Sequence, residues 1–181
     1  MIIAISGLHG TGKSTVAKKI AELLNLKYYS TGEAFRELAK QMNMSLKEFS
    51  DYAEQHSEID LKLDEKIIDL AKKGNIIIDS QLSGYLLKDI ADFKILLTCP
   101  LNIRVKRMAE RDNSSFQEKL EETKHREESE RIRFKKLYNI DLSDQKKNRS
   151  IFDLVLNTGN LTVNEVIDII MEKIKQKSLK N

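Results

Sequence analysis

The chain has 181 residues, 40% of them hydrophobic and 33% charged, with a formal net charge of +3. That is one domain's worth of soluble, core-forming sequence; the small basic excess permits a polyanionic partner without demanding one. No apolar stretch is long enough to span a membrane, and no signal peptide is expected before the first strand. With Cys99 as the only cysteine, expected to be a small core residue, no internal disulfide can form, and a reducing cytoplasm is the expected home.

Ile2 to Ile5 is an apolar, β-branched run that suits a strand buried on both faces. Gly7 to Ser14 follows it and reads G-x-x-x-x-G-K-S, the phosphate-binding loop. Val16, Ile20, Leu23 and Leu24 then recur at helical spacing, so a helix begins near Lys13. Strand, glycine loop and helix in that order let backbone N–H groups and a helix N-terminus surround a polyphosphate. Lys13 would place an ammonium on the terminal phosphates, and Ser14 would offer a hydroxyl to Mg²⁺.

Lys27-Tyr28-Tyr29 reads as a second strand, and Ser30 or Thr31 caps a helix carrying Phe35, Leu38 and Ala39. Ser45 with Glu48 forms a capping box for the next helix. Ser57 is expected to cap a third, with Ile59, Leu63, Ile67 and Leu70 on one face and Gly74 at its end. Asn75 to Asp79 and Phe93 to Thr98 are the third and fourth strands, and Pro100 opens a helix that presents Arg104, Arg107 and Arg111 on one side. From Ser114 to about Tyr138 the sequence is so polar that its helices should have little core of their own. Residues 145–149 read as a surface turn, Phe152 to Leu156 as the fifth strand, and Thr162 as the cap of a last helix buried through Val166, Ile167, Ile170 and Ile174. Strands alternating with helices imply a parallel α/β sheet, whose ligands sit at the carboxyl ends of the strands. The phosphate loop, Asp79 and the Cys99-Pro100 turn all fall at that edge.

Asp79 is therefore a candidate to hold Mg²⁺ or orient an acceptor, against a plain role in the turn that follows it. Arg126, Glu130 and Arg133 share a helix face, which is either an ordinary solvated face or a cationic one. Phosphoryl transfer needs cations around the moving group, and a polar flap that closes over a nucleotide would bring them. His9, inside the loop, either approaches a nucleotide or marks a variable loop position; His56 and His125 are expected to be exposed. No Cys/His metal spacing and no nucleophilic triad is evident.

These stretches together resemble the archaeal-type cytidylate kinases of the P-loop nucleoside monophosphate kinase group. The resemblance rests on Gly7 to Thr15, Ser30 to Arg36, Met44 to Phe49, Tyr52-Ala53-Glu54, Ile59-Asp60 and the Asp79-to-Gly84 loop. It continues through Arg126-Glu-Glu-Ser-Glu-Arg131 with Arg133, Tyr138 to Asp141, and Asp153 to Thr158. It implies a three-layer P-loop NTPase fold of class α/β, with a five-stranded parallel sheet in the order 2-3-1-4-5, as a single domain over 1–181. Its core would span about 1–30, 74–112 and 150–181, its acceptor-binding helices about 31–73 and its lid about 113–140.

The implied activity is transfer of the γ-phosphoryl of ATP to CMP or dCMP with Mg²⁺. Gly7, Leu8, His9, Gly10, Thr11, Gly12, Lys13, Ser14 and Thr15 would hold the donor phosphates, and Asn157 and Thr158 the donor base. Arg36, Gln81, Arg107, Arg111 and Glu130 would serve the acceptor, with Lys13, Asp79, Arg126 and Arg133 catalytic and Ser14 and Asp79 at the metal. The resemblance carries an arginine where this chain has Gln81, and often a threonine where it has the general Lys13. A monomer without membrane or nucleic-acid partner is expected. The alternatives are a related kinase acting on AMP, UMP or another small acceptor, and a nucleotide-switched protein bound to RNA or the ribosome.

Overall fold

The computed structural model describes residues 1–142 and 144–179. Its strands are β1 (Ile2–Ser6), β2 (Lys27–Ser30), β3 (Ile76–Asp79), β4 (Phe93–Thr98) and β5 (Leu154–Asn157). The helices are α1 (Lys13–Leu24), α2 (Thr31–Gln41), α3 (Leu46–Gln55), α4 (Glu58–Lys72), α5 (Ser83–Leu86), α6 (Leu101–Asp112), α7 (Phe116–Tyr138), α8 (Gln145–Ile151) and α9 (Val163–Ser178). The five strands form one parallel sheet in the order β2-β3-β1-β4-β5, as the resemblance implies.

Alternation along the central strand creates the layers. Ile3 and Ile5 of β1, with Ile77, Ile95 and Leu97, face α1 and α9 and bury Val16, Ile20, Val166, Ile170 and Ile174. Ala4, Ile76 and Ile78 point the other way, onto Ile67 and Ala71 of α4 and onto Leu87. A separate small core of Phe35, Ala39, Phe49, Ala53 and Leu63 knits α2, α3 and α4 into a helical unit beside the sheet. That unit stands over the carboxyl ends of the strands and forms one wall of the cleft described below.

Local signals fix the helix ends where expected. Ser30 accepts from the Glu33 N–H, and the Ser45/Glu48 and Thr162/Glu165 boxes are both closed. Gly74, past the end of α4, has φ +69°. Asn25, Asn113 and Asn139 take the same left-handed conformation to end α1, α6 and α7.

Four expectations are corrected. Ser57 precedes α4 but makes no side-chain cap, because its backbone is already helical. Pro100 stands just before α6, at its N-cap, rather than within its first turn. Residues 145–149 belong to helix α8, started by Asp144 accepting from Lys147 N–H, and not to a turn. The fifth strand starts two residues late: Phe152 leaves the sheet and packs edge-on against Tyr85 in a cluster with Leu82, Leu96, Phe134 and Ile140.

The polar segment after Ser114 forms α7, a single helix of 23 residues. Its buried positions are Lys119, Thr123, Arg126, Ser129, Glu130, Arg133 and Phe134. The helix is held by buried polar pairing rather than by an apolar stripe, which is why no hydrophobic period announces its inner face. Among the described residues no helix is long and apolar enough to cross a membrane.

Candidate active site

A cleft of about 1330 Å³ opens above the carboxyl edge of β1 and β3. The phosphate loop and α1 form its floor, α2 and α4 one wall, and α6 and α7 the other. Gly12, at φ +93°, caps α1, and Gly10, at φ +77°, passes so near α6 that a Cβ there would lie 2.7 Å from the Arg104 carbonyl oxygen. The loop needs glycine at both places, for conformation at the first and for conformation and space at the second.

Lys13 folds its ammonium back on the loop, donating to the Leu8 carbonyl at 2.9 Å. Burial pulls its pKa below the ordinary lysine value, although Asp79 and Glu130 oppose the change. Asp79 ends β3 and is 2% exposed. Its Oδ2 accepts from Ser14 Oγ at 2.5 Å, Tyr28 Oη at 3.1 Å and Ser30 Oγ at 3.2 Å. Strand pairing explains this meeting, since Ser30 and Asp79 are register partners at the ends of β2 and β3. A carboxylate and a hydroxyl together are hard oxygen donors of the type Mg²⁺ takes, and they suffice when phosphates and water complete the shell. Among the described residues no group of three or more His, Cys, Asp or Glu could hold a metal by itself.

Three guanidiniums lie around the middle of the cleft. Burial lowers the pKa of Arg36, and the charges of Arg111 and Arg126 lower it further. Arg111 is mostly exposed and bonded to Asp112. Arg126 is buried, stands 3.6 Å from Glu130, and its Nε lacks a hydrogen-bond partner. Three guanidiniums gathered on one cleft form a place for an anion.

Glu130 is buried on the same face of α7. Its carboxylate accepts from His9 Nε2, 2.8 and 2.9 Å from its two oxygens, and from Gln81 Nε2 at 2.6 Å. Burial would raise its pKa, but His9, Arg126 and Gln81 prevail and hold it well below the usual carboxylate range. His9 is pushed toward the neutral form, first by burial and then by Arg126 and Lys13, with Glu130 opposing. The Gln81 amide thus donates to Glu130 and only lies against the His9 ring, and its Oε1 is buried without a partner.

Arg133 is placed differently. Its Nε donates to Asp60 Oδ2 at 2.7 Å and its Nη1 to Ser129 Oγ at 2.7 Å, in a pair 5% and 8% exposed that ties α7 to α4. Beside it Tyr138 donates to Asp64. Arg104, buried, donates to the His9 carbonyl and grips Glu127, so α6, α7 and the loop meet through it.

Arg107 turns away from Arg111 to bind the carbonyl and hydroxyl of Thr158, whose hydroxyl donates to the Thr11 carbonyl. Thr158 lines the cleft. Asn157 is the last residue of β5, is exposed, and accepts from Gly159 N–H. Gly7 and Leu8 line a smaller cavity behind the loop, while His9 to Thr15 face the main cleft.

Sequence reasoning missed Tyr28, Arg104 and Asp60. Tyr28 is a strand residue like any other until β2 and β3 pair. Arg104 and Asp60 gave only a helical spacing and part of a motif. His56 is half-buried and stacked on Tyr52, while His125 is exposed beside Asp51.

A parallel sheet in this order, with a glycine loop between β1 and α1 ending in Lys13-Ser14, defines a P-loop kinase fold. Solved structures agree on the fold. A shikimate kinase from Aquifex aeolicus matches with a TM-score of 0.60 at 17% identity, covering 100% of both chains. A deoxyadenosine kinase from M. mycoides matches at 0.56 and 21%, covering 97% of this chain and 100% of that one.

Residues 2–160 match the cytidylate kinase-like family, and the chain belongs to it. A cytidylate kinase from Sulfurisphaera tokodaii is 49% identical over 171 residues, covering 94% of this chain and 93% of the relative. One from Staphylothermus marinus is 43% identical over 176 residues, covering 97% of each.

Proposed function

We propose that the protein is a cytidylate kinase, transferring the γ-phosphoryl of ATP to CMP or dCMP to give ADP and CDP or dCDP. The carrying observation is one continuous cleft with Lys13 on its floor and Arg36 and Arg126 facing it from opposite walls. Donor and acceptor phosphates would both reach this point.

The reaction asks for little proton chemistry. A monophosphate ester has its second pKa near about 6, so at neutral pH an acceptor oxygen is already anionic. It attacks the γ-phosphorus directly. The bond from that phosphorus to the β–γ bridging oxygen breaks, and ADP leaves. The protein's work is alignment and charge stabilisation. Lys13, released from Leu8, would follow the γ-phosphoryl group; Arg126 would stabilise its spreading charge; Arg36 and Arg111 would hold the acceptor phosphate. Asp79 and Ser14 would hold Mg²⁺, which supplies a Lewis acid for the donor phosphates. Thr158 and Arg107 would border the donor base. Residues 31–73 would form the acceptor half and 113–140 the lid, with Arg133 anchoring the lid to the acceptor half through Asp60. A monomeric enzyme of the cytoplasm, acting in pyrimidine nucleotide metabolism without a nucleic-acid partner, fits this reading.

The test is ADP release coupled to an NADH readout with CMP, dCMP, UMP and AMP supplied in turn. CMP or dCMP should give the highest kcat/KM. Preference for UMP or AMP would move the protein to another acceptor. ATP turnover that no acceptor stimulates would refute the kinase reading.

A further inference from the structure

His9 makes more contacts than a position in a phosphate loop requires. Its side chain crosses the cleft floor to Glu130 of α7, 121 residues away, with Nε2 within hydrogen-bond distance of both carboxylate oxygens. Its main-chain carbonyl accepts from Arg104 Nη1 at 2.8 Å, and that guanidinium is paired with Glu127 of the same helix. Glu127 and Glu130 are i and i+3 on one face of α7, so the helix grips this residue twice, once directly and once through Arg104.

The hydrogen-bond roles follow from the geometry. Gln81 Nε2 lies 2.6 Å from Glu130, so the amide must present its NH₂ there, since its oxygen would face a carboxylate. His9 Nε2 lies between the two carboxylate oxygens and must carry a proton as well. Glu130 therefore accepts from the loop and from the turn after β3, and forms an ion pair with its own helix neighbour Arg126, one turn earlier, at 3.6 Å. Two atoms of this cluster, Arg126 Nε and Gln81 Oε1, are buried without partners. Buried unmatched polar atoms are costly and need a reason. Arg126 lines the cleft, where an anion could accept from its guanidinium.

We infer that His9 is a positioning residue: through Glu130 it ties the phosphate loop to α7, so that filling the loop with a polyphosphate sets Arg126 over the cleft. Arg104–Glu127 fixes where α7 lies, and His9–Glu130 fixes how its arginine is presented. The inference rests on the kinase reading for its kinetic consequence, but not for its structural one.

The test uses the intact protein with Mg²⁺ and ADP, and three chains: wild type, His9→Ala and His9→Gln. The glutamine amide nitrogen reaches about as far as imidazole Nε2 and also donates, so it keeps the link. Saturating ADP should slow amide exchange across residues 126–134 in wild type and in His9→Gln. His9→Ala should bind ADP and lose most of that response. In turnover with CMP, His9→Ala should lose roughly tenfold to a hundredfold in kcat, with a smaller change in acceptor KM, as misplacement of a transition-state group predicts. His9→Gln should recover most of the loss.

In a double-mutant cycle, Glu130→Gln should add little to His9→Ala. An undiminished response in ADP-bound His9→Ala would overturn the inference. So would no response in wild type, or a His9→Gln protein as impaired as His9→Ala. Should the exchange pattern hold while wild type fails to phosphorylate CMP, the acceptor reading falls and the link stands.

Discussion

The Arg133–Asp60 pair offers the sharpest separation of structure from chemistry. Its members are 5% and 8% exposed and meet at 2.7 Å. Burial pushes the Asp60 carboxyl up, while the Arg133 guanidinium opposes that and cannot itself discharge. Asp60→Asn keeps an acceptor for Arg133 and removes the charge. Breaking a buried pair from one side costs about 3–5 kcal/mol. Because Ser129 Oγ still serves the guanidinium, the lower end applies, about 3 kcal/mol. At roughly 2–4 °C per kcal/mol for a chain of this size, the midpoint should fall by about 6–12 °C.

Arg133→Met should cost a similar amount, and the double variant less than the sum, by about 2 kcal/mol. Urea and thermal unfolding supply the cycle, with kcat taken well below each midpoint. If Arg133 anchors α7, kcat in Asp60→Asn and Arg133→Met should fall together. If Arg133 contacts the transferring phosphoryl group, Arg133→Met should lose far more kcat than Asp60→Asn. A loss below about 1 kcal/mol in both single variants would refute the anchoring argument, because it lies within the range of exposed pairs.

Three further outcomes are expected. Burial, aided by the charge of Asp60 and opposed by the Tyr138 hydrogen bond, pushes the Asp64 carboxyl up to about 6 from an ordinary 3.8. A raised folded pKa gives stability that is complete below the unfolded value and lost as pH rises through the folded one. Unfolding titrations should therefore show about 3 kcal/mol lost between pH 4 and about 6, and Asp64→Asn should flatten that decline. Lys13→Ala should retain its fold by circular dichroism and lose roughly 10²–10³ in kcat, as removal of one preorganised charge does. Arg36→Ala should raise KM for the monophosphate and leave ATP affinity, measured by titration, nearly unchanged.

What was legible in the sequence is what short-range chemistry determines. The β-branched runs, the glycine loop, the Ser45/Glu48 box, the Thr162 cap and the Gly74 terminus each write their structure into a few adjacent residues. Phe152 shows where this stops. It lies next to the apolar Leu154–Leu156 run across Asp153, yet it leaves the sheet and packs on Tyr85 and Leu82, 60 and more residues away. Residues 145–149 carry turn composition, and a single Asp144 cap makes them a helix.

The site divides the same way. Lys13, Ser14 and Asp79 follow from the loop and the sheet edge. The Arg133–Asp60, Arg104–Glu127 and His9–Glu130 contacts join elements 73, 23 and 121 residues apart. Nothing in the spacing of α7 distinguishes the arginine that faces the cleft centre from the one that anchors the helix. Gln81, which stands where the resemblance carries an arginine and is expected to serve the acceptor, has its amide on Glu130 instead.

The central claim is direct transfer between two nucleotides held in one cleft, and ³¹P NMR of the protein with ATP, Mg²⁺ and CMP tests it most directly. The diphosphate signals of CDP should grow one for one with those of ADP, with no inorganic phosphate, and Lys13→Ala should slow the growth of both by roughly 10²–10³. Growth of ADP and inorganic phosphate beside unchanged CMP would contradict it and show hydrolysis instead.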